Sequence, residues 1–273
     1  MNKILLIGAG KSTTVLIEYL KKKCLEHDWH LTVADSDLKL AQNKLKGAAN
    51  TAAMHINIHN EEQTRTAVRQ ADIVISMLPA SLHFLVAQAC MEAGRHLLTA
   101  SYVDPNIRAS AATIQQKGLL FLCEMGLDPG IDHMSAMQLI HRIQKDGGKI
   151  TSFHSHCGGL IAPESDNNPW HYKISWNPRN IVLAGKAGAV YKSEGRIIYL
   201  PYELLFDENR TIEVAGEGLY AWYPNRDAVS YSKLYGLENC DTFIRTTLRH
   251  PDFCLGWKKI VELKLTDEDK RYD

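Results

Sequence analysis

The chain lacks a CxxC pair, a surplus of charge of either sign and a long apolar run, and each absence removes a class of function. Its six cysteines, Cys24, Cys90, Cys123, Cys157, Cys240 and Cys254, are scattered through 273 residues. That excludes the dense spacing of a disulfide scaffold and predicts reduced thiols in a cytoplasmic protein, with no metal site expected. The 31 basic and 31 acidic side chains balance, so no net field draws in nucleic acid or anionic lipid, and a small-molecule partner is expected instead. No stretch approaches the roughly 18 uncharged apolar residues of a membrane helix. The run Ile4–Gly10 after Lys3 is short, meets Lys11 and has no small-residue cleavage site, so it reads as a first strand rather than a signal peptide. A soluble protein without internal repeats or low-complexity tracts is expected.

What is present is a rhythm. Short apolar runs at Lys3–Ile7, His30–Ala34, Thr51–Asn57, Asp72–Met77, His96–Thr99 and Leu119–Glu124 alternate with amphipathic stretches near Thr13–Glu26, Leu38–Lys46, Glu61–Gln70, Leu82–Ala93 and Asn106–Gln116. This alternation predicts an α/β fold, a Rossmann-type doubly wound parallel sheet covered by helices on both faces, over residues 1–130. After Gly130 the rhythm changes. A helix from Met134 to Gln144, a strand at Lys149–His156, a Gly/Pro/Asn/Trp-rich loop over Gly158–Asn180 and a hairpin over Val190–Leu200 around Ser193-Glu194-Gly195 predict an α+β substrate and dimerisation domain over 131–273. Ile260–Leu265 reads as a strand, and Thr266–Asp273 as a frayed polar end.

Gly8-Ala9-Gly10 stands where the first strand must turn into a helix. Glycines there let the backbone approach a pyrophosphate, and the following helix start, with Lys11 and Ser12, supplies N–H groups and partial positive charge. Thr13 stands where the usual third glycine is expected, which predicts looser or shifted helix–strand packing. Gly10-Lys11-Ser12-Thr13 imitates a phosphate-binding P-loop, but Leu5 occupies the position that motif reserves for glycine. Asp35, ending the second strand beside Ser36, is placed to accept hydrogen bonds from the adenine-ribose hydroxyls, which favours NAD, with NADP as the alternative; a solvated turn aspartate is the plainer reading. Leu78-Pro79, after the fourth strand, either passes the cofactor or simply ends that strand.

The long string Gly126-Leu127-Asp128-Pro129-Gly130-Ile131-Asp132-His133 resembles the saccharopine dehydrogenase family. So do Cys157-Gly158-Gly159-Leu160 with Pro163-Glu164, Asn168-Pro169, Tyr172-Lys173 and Ser175-Trp176, then Tyr223-Pro224-Asn225-Arg226-Asp227 and Thr247-Leu248-Arg249. The resemblance, which runs through nearly the whole chain, implies oxidation of saccharopine with water to L-glutamate and 2-aminoadipate semialdehyde, or the reverse, with hydride passing to or from NAD or NADP in lysine metabolism. It implies that Ser101, Tyr102, Asp128 and Thr247-Leu248-Arg249 contact substrate, and that Gly126, Leu127 and Trp176 lie beside the cofactor. For Asp128 a turn-forming role and for Trp176 a core anchor are the plainer readings. Saccharopine carries three carboxylates, and Arg226 and Arg249 offer planar forks for them, though either arginine is equally a surface ion-pair partner. The proton work of the reaction suits Asp128, Tyr102 and Cys157, in that order; His133, at a helix start, is left outside the site. Relative to that family the chain stops early at its carboxy end, so a shortened form or a fragment is expected, which leaves closure of the site open. A relative acting on another amino-acid or polyamine amine and a non-catalytic dinucleotide-binding protein are the alternatives, and a homodimer is the expected assembly.

Overall fold

A computed structural model of the chain describes residues 1–175, 178–207 and 210–267. It divides into two compact units, Met1–His133 and Met134–Asp273.

The first unit alternates strand and helix: β1 (Lys3–Ile7), α1 (Thr14–His27), β2 (His30–Asp35), α2 (Leu38–Leu45), β3 (Thr51–His55), α3 (Glu61–Arg69), β4 (Ile73–Ser76), α4 (His83–Ala93), β5 (His96–Thr99), α5 (Pro105–Ala109), α6 (Ala111–Gln116) and β6 (Phe121–Leu122). All neighbouring strands pair in parallel, in the order β3-β2-β1-β4-β5-β6. The order reverses between β1 and β4, which opens a crevice at the carboxyl ends of those strands. After Lys3, β1 is apolar because both its faces are covered: Leu5 and Ile7 join a core with Val74, Val86 and Leu97, while Ile4 and Leu6 join another with Ile17, Leu31 and Val33. Each such buried aliphatic side chain is worth about 1.5–3 kcal/mol. Helix starts follow from local chemistry, with Asp37, Asn60 and Asp104 each accepting a backbone N–H of the first turn of α2, α3 and α5.

The second unit holds α7 (Ile131–Lys145, beginning just before it), β7 (Ser152–Cys157), α8 (Pro178–Leu183), β8 (Ala189–Ser193), β9 (Arg196–Leu200), β10 (Thr211–Val214), β11 (Gly218–Pro224), β12 (Arg226–Asp227), α9 (Val229–Leu234), β13 (Thr242–Arg249) and α10 (Pro251–Glu262). Its seven-stranded sheet runs β10-β11-β13-β8-β12, with β7 joined to β13 and β9 to β8. Most pairs are antiparallel, but β7 runs parallel to β13 and β12 parallel to β8. Phe243, Tyr223, Leu205, Ile140 and Phe253 anchor its core.

Five sequence expectations are corrected. Ile260–Leu265 is not a strand: α10 covers its first part, because His250 caps the helix, Pro251 opens it, and Phe253, Cys254 and Val261 fall on one buried face. The single helix expected over Asn106–Gln116 breaks at Ser110, whose backbone leaves the helical region (φ −86°, ψ 3°). The strand expected over Leu119–Glu124 shrinks to two residues. The Gly158–Asn180 stretch is not wholly a loop: Pro163–Ser165 form a short 3-10 turn, and Pro178 begins α8. At the carboxy end Thr266 is buried and accepts a hydrogen bond from Tyr202 Oη at 3.2 Å, so fraying does not begin there.

Candidate active site

In the first unit the glycine turn follows β1. Gly8 has φ +107°, and a Cβ there would stand 2.8 Å from the Met77 carbonyl oxygen and 3.0 Å from its carbon. Only glycine fits between β1 and the Met77–Leu78 segment that leaves β4, so the turn and the Leu78-Pro79 stretch lie side by side. Gly10, by contrast, has open space where a Cβ would be and ordinary backbone angles. Its lack of a side chain leaves the helix start accessible, beside exposed Lys11 and Ser12.

Asp35 closes this turn from β2. Its Oδ2 accepts the Ala9 N–H at 2.6 Å, and its Oδ1 accepts the Asp37 N–H at 2.8 Å, with exposed Ser36 between. Thr13, in place of a third glycine, is fully buried, and its hydroxyl returns a hydrogen bond to the Gly10 carbonyl at 2.8 Å. The chain enters α1 through a 3-10 turn, Lys11–Thr13. Lys44 of α2, which sequence reasoning missed, brings its ammonium against the Gly10 carbonyl and the Thr13 and Thr14 hydroxyls. Burial lowers its pKa, and the Asp35 charge works against that shift. The Gly8 cradle that a Cβ would fill, the open helix start and the nearby ammonium fit a diphosphate.

Further along the carboxyl edge, Ser76 of β4 is fully buried and shares a 2.8 Å hydrogen bond with His83 Nδ1; His83 Nε2 lies 2.8 Å from the hydroxyl of half-buried Ser101. His83 is itself buried, which lowers its pKa, with Asp104 opposing. No motif or spacing marks it in the sequence, because its partners Ser76, ending β4, and Ser101, following β5, meet it only in the fold. Tyr102 Oη donates to Asp128 Oδ1 at 3.0 Å, so the structure brings the first two proton-transfer candidates together. Gly126 and Leu127 precede Asp128 in a turn closed by Gly126 N–H to Pro129 O at 2.9 Å and by Ile131 N–H to Gly126 O at 3.0 Å. Gly130 packs on the Gly126 backbone, so closely that no Cβ would fit. His133 Nε2 sits 3.1 Å from Glu124 Oε2, while Glu124 Oε1 accepts the Val103 N–H. The imidazole thus belongs to the scaffold of this turn.

In the second unit Thr247-Leu248-Arg249 ends β13, where Thr247 stands opposite half-buried Cys157 of β7 on one side and Tyr223 of β11 on the other. Gly158 lies directly on the Leu248 carbonyl, too close for a side chain. The Arg249 guanidinium stacks over Tyr172 (4.9 Å) and Phe253 (5.4 Å), and its Nη1 donates to Leu248 O at 2.8 Å. Tyr223 is buried, which raises its pKa against the pull of Arg249. Arg226 is exposed on β12 at φ 51°, joined to this region through Asn225 N–H to Arg245 O at 2.8 Å. Trp176 lies outside the described residues. His154 and His156, lining β7 with pKa values lowered by burial, were also missed; His156 Nδ1 is 2.7 Å from the Thr246 hydroxyl.

A parallel sheet of this order, carrying a glycine turn too tight for any Cβ at its reversal point, defines a Rossmann-type dinucleotide-binding unit, here followed by an α+β unit. Residues 4–122 match the model of the saccharopine dehydrogenase NADP binding domain, and residues 126–273 that of the saccharopine dehydrogenase C-terminal domain. The chain belongs to the saccharopine dehydrogenase family. It is 34% identical over 268 residues, 98% of its own length, to the saccharopine dehydrogenase [NADP(+), L-glutamate-forming] of Schizosaccharomyces pombe, of which it spans 59%. It is 39% identical over 245 residues, 89% of its length, to the alpha-aminoadipic semialdehyde synthase of Arabidopsis thaliana, of which it spans 23%. The apo structure of the L-Glu-forming saccharopine dehydrogenase of Saccharomyces cerevisiae superposes with a TM-score of 0.88 at 31% identity, over 99% of this chain and 60% of that one. Among the described residues no helix is long and apolar enough to cross a membrane.

Proposed function

We propose that the chain is an oxidoreductase acting on a secondary amine, interconverting saccharopine with L-glutamate and 2-aminoadipate semialdehyde with NAD or NADP. The Gly8 turn at the crevice of the parallel sheet carries the cofactor half of this reading, and the similarity to glutamate-forming saccharopine dehydrogenases carries the substrate.

When bound, the nicotinamide accepts or returns the hydride. Gly8, Ala9, Gly10, Lys11 and Ser12 would hold the diphosphate, with Leu78 and Pro79 as further cofactor-binding residues, and Gly126 and Leu127 would serve the nicotinamide half; Trp176 is a cofactor-binding candidate by resemblance alone. Asp35 keeps the Ala9 N–H in place. Its negative charge opposes a 2′-phosphate, which favours NAD, whereas the fission-yeast relative is named for NADP. The Tyr102–Asp128 pair suits proton transfer: Asp128 takes the proton of the attacking water, and Tyr102 holds the carboxylate through its hydroxyl. In the first unit Ser101, oriented by His83, is the substrate-binding candidate; in the second unit the candidates are Thr247, Leu248, Arg249 and Arg226, the two arginines suited to carboxylates. Cys157, beside Thr247, is the third proton-transfer candidate. Six free cysteines support a reducing, cytoplasmic setting, and a homodimer belongs to the same reading, checked by light scattering.

The chain spans part of its relatives' length, so the direct test uses this chain alone. Incubated with saccharopine and either dinucleotide, it should generate the absorbance of the reduced cofactor, faster with NAD. Arg249→Ala should raise KM for saccharopine severalfold with dinucleotide affinity unchanged. Calorimetry detecting neither dinucleotide at millimolar concentration would overturn the assignment, and binding without turnover would leave a non-catalytic dinucleotide protein.

A further inference from the structure

Next to Arg249, His171, His250 and Asp252 converge where the Gly158–Ser175 stretch meets the start of α10. One ligand atom of each lies within 4.8 Å of the others. His171 Nε2 is 3.6 Å from Asp252 Oδ2, and His250 Nδ1 is 3.6 Å from the same oxygen. Those separations are too long for hydrogen bonds. They match the edge of a tetrahedron, about 3.3–3.6 Å when N and O ligands sit at the usual zinc distances of roughly 2.0–2.2 Å.

Asp166 Oδ2 is 2.6 Å from His171 Nδ1, so Asp166 holds this ring from behind and leaves Nε2 turned to Asp252. His250 Nδ1 accepts only a long 3.3 Å contact from the Asp252 N–H, which a stronger partner can replace. The two rings lie 3.8 Å apart, centre to centre, and each presents a nitrogen to the same carboxylate oxygen. His171 is also held at φ +47°, a conformation that a non-glycine residue keeps only where its surroundings fix it.

We propose that His171 Nε2, His250 Nδ1 and Asp252 Oδ2 bind one divalent transition-metal ion, zinc by ligand type, with water completing the tetrahedron and Asp166 orienting His171 from behind. Imidazole ligands select zinc, cobalt or nickel over magnesium and calcium, and a carboxylate behind a ligating histidine is a recurrent support. Metal binding displaces the long Asp252 N–H contact. The ion ties the residue before Tyr172 to the residue after Arg249, so it fixes the ring on which the Arg249 guanidinium stacks. The site does not depend on the proposed reaction.

The test titrates the EDTA-treated full chain with zinc chloride by calorimetry and with cobalt chloride by visible absorption. His171→Asn and His250→Asn suit it, because asparagine tolerates the left-handed backbone at 171 and caps a helix at 250. The wild type should bind one equivalent of zinc and give cobalt ligand-field bands without thiolate charge-transfer absorption; zinc should raise its thermal midpoint. The double variant should lose at least 100-fold in affinity, and Asp166→Asn about 10-fold or more. The proposal is overturned if the wild type takes up no zinc, if the folded double variant binds it as tightly, or if the cobalt spectrum shows thiolate ligation. Metal binding with no saccharopine turnover would leave it standing, while turnover without metal binding would remove it alone.

Discussion

Replacing His83 with phenylalanine removes both ends of the Ser76–His83–Ser101 chain while keeping an aromatic ring at the site. Ser76 is fully buried, so its hydroxyl loses its partner with no water to replace it, at about 1–3 kcal/mol. Ser101 is half-buried and recovers part of its loss from solvent, leaving about 0.5–1.5 kcal/mol. The sum, about 1.5–4.5 kcal/mol, is a large share of a typical domain's stability of roughly 5–15 kcal/mol. Adding Ser76→Ala to His83→Phe should return about 1 kcal/mol, because two apolar partners leave no orphaned hydroxyl. There is also a pH signature. Burial depresses the folded pKa of His83, so as pH falls below the unfolded value of about 6.5 the unfolded chain gains a proton that the folded chain refuses. Stability is therefore full above that value and falls on acidification toward the folded pKa, by up to about 1.4 kcal/mol per pH unit for each such histidine. His154 and His156 have the same sign, so the variant should lose one histidine's share of the slope and keep theirs. Hydrogen exchange read on the amides of β4 and α4 at pH 7.5 and 5.5 measures this in the first unit by itself. Equal protection in wild type and His83→Phe, with the acid slope unchanged, would refute the buried-relay reasoning.

Gly8→Ala should destabilise the first unit by about 2–5 kcal/mol, adding left-handed strain to the clash with the Met77 carbonyl; Gly10→Ala, with open space around it, should melt close to wild type in guanidinium yet bind dinucleotide at least 10-fold more weakly. Asp35→Ala removes the carboxylate that holds the Ala9 and Asp37 N–H groups and should weaken NAD more than NADP in calorimetric titration. Equal losses for the two would reject its role at the ribose.

Local rules made much of the first unit legible. β1 and β5 fall on the residues their apolar runs marked, and α1 to α4 start or end within a residue or two of expectation, because a parallel strand covered on both faces must be apolar throughout. The glycine turn was readable because two glycines stand where an apolar strand must turn into a helix; that the Met77 carbonyl leaves no room for a Cβ at Gly8 is seen only in the structure. The Tyr102–Asp128 pair and the Thr247–Arg249 segment came from the resemblance, since no spacing rule links residues on different loops. α10 was misread at its end because Ile260–Leu265 is apolar enough for either period, and only the cap at His250 and the buried face of Phe253, Cys254 and Val261 decide for helix.

The sequence by itself thus determined the strand–helix alternation, the glycine turn and the family motif, since each is written in neighbouring residues. Tertiary structure decided that Lys44 reaches the glycine turn, that His83 bridges two serines, and that His171, His250 and Asp252 share one point. Such contacts depend on which loops the sheets bring together, and long-range packing sets that, with no periodicity in the chain to record it.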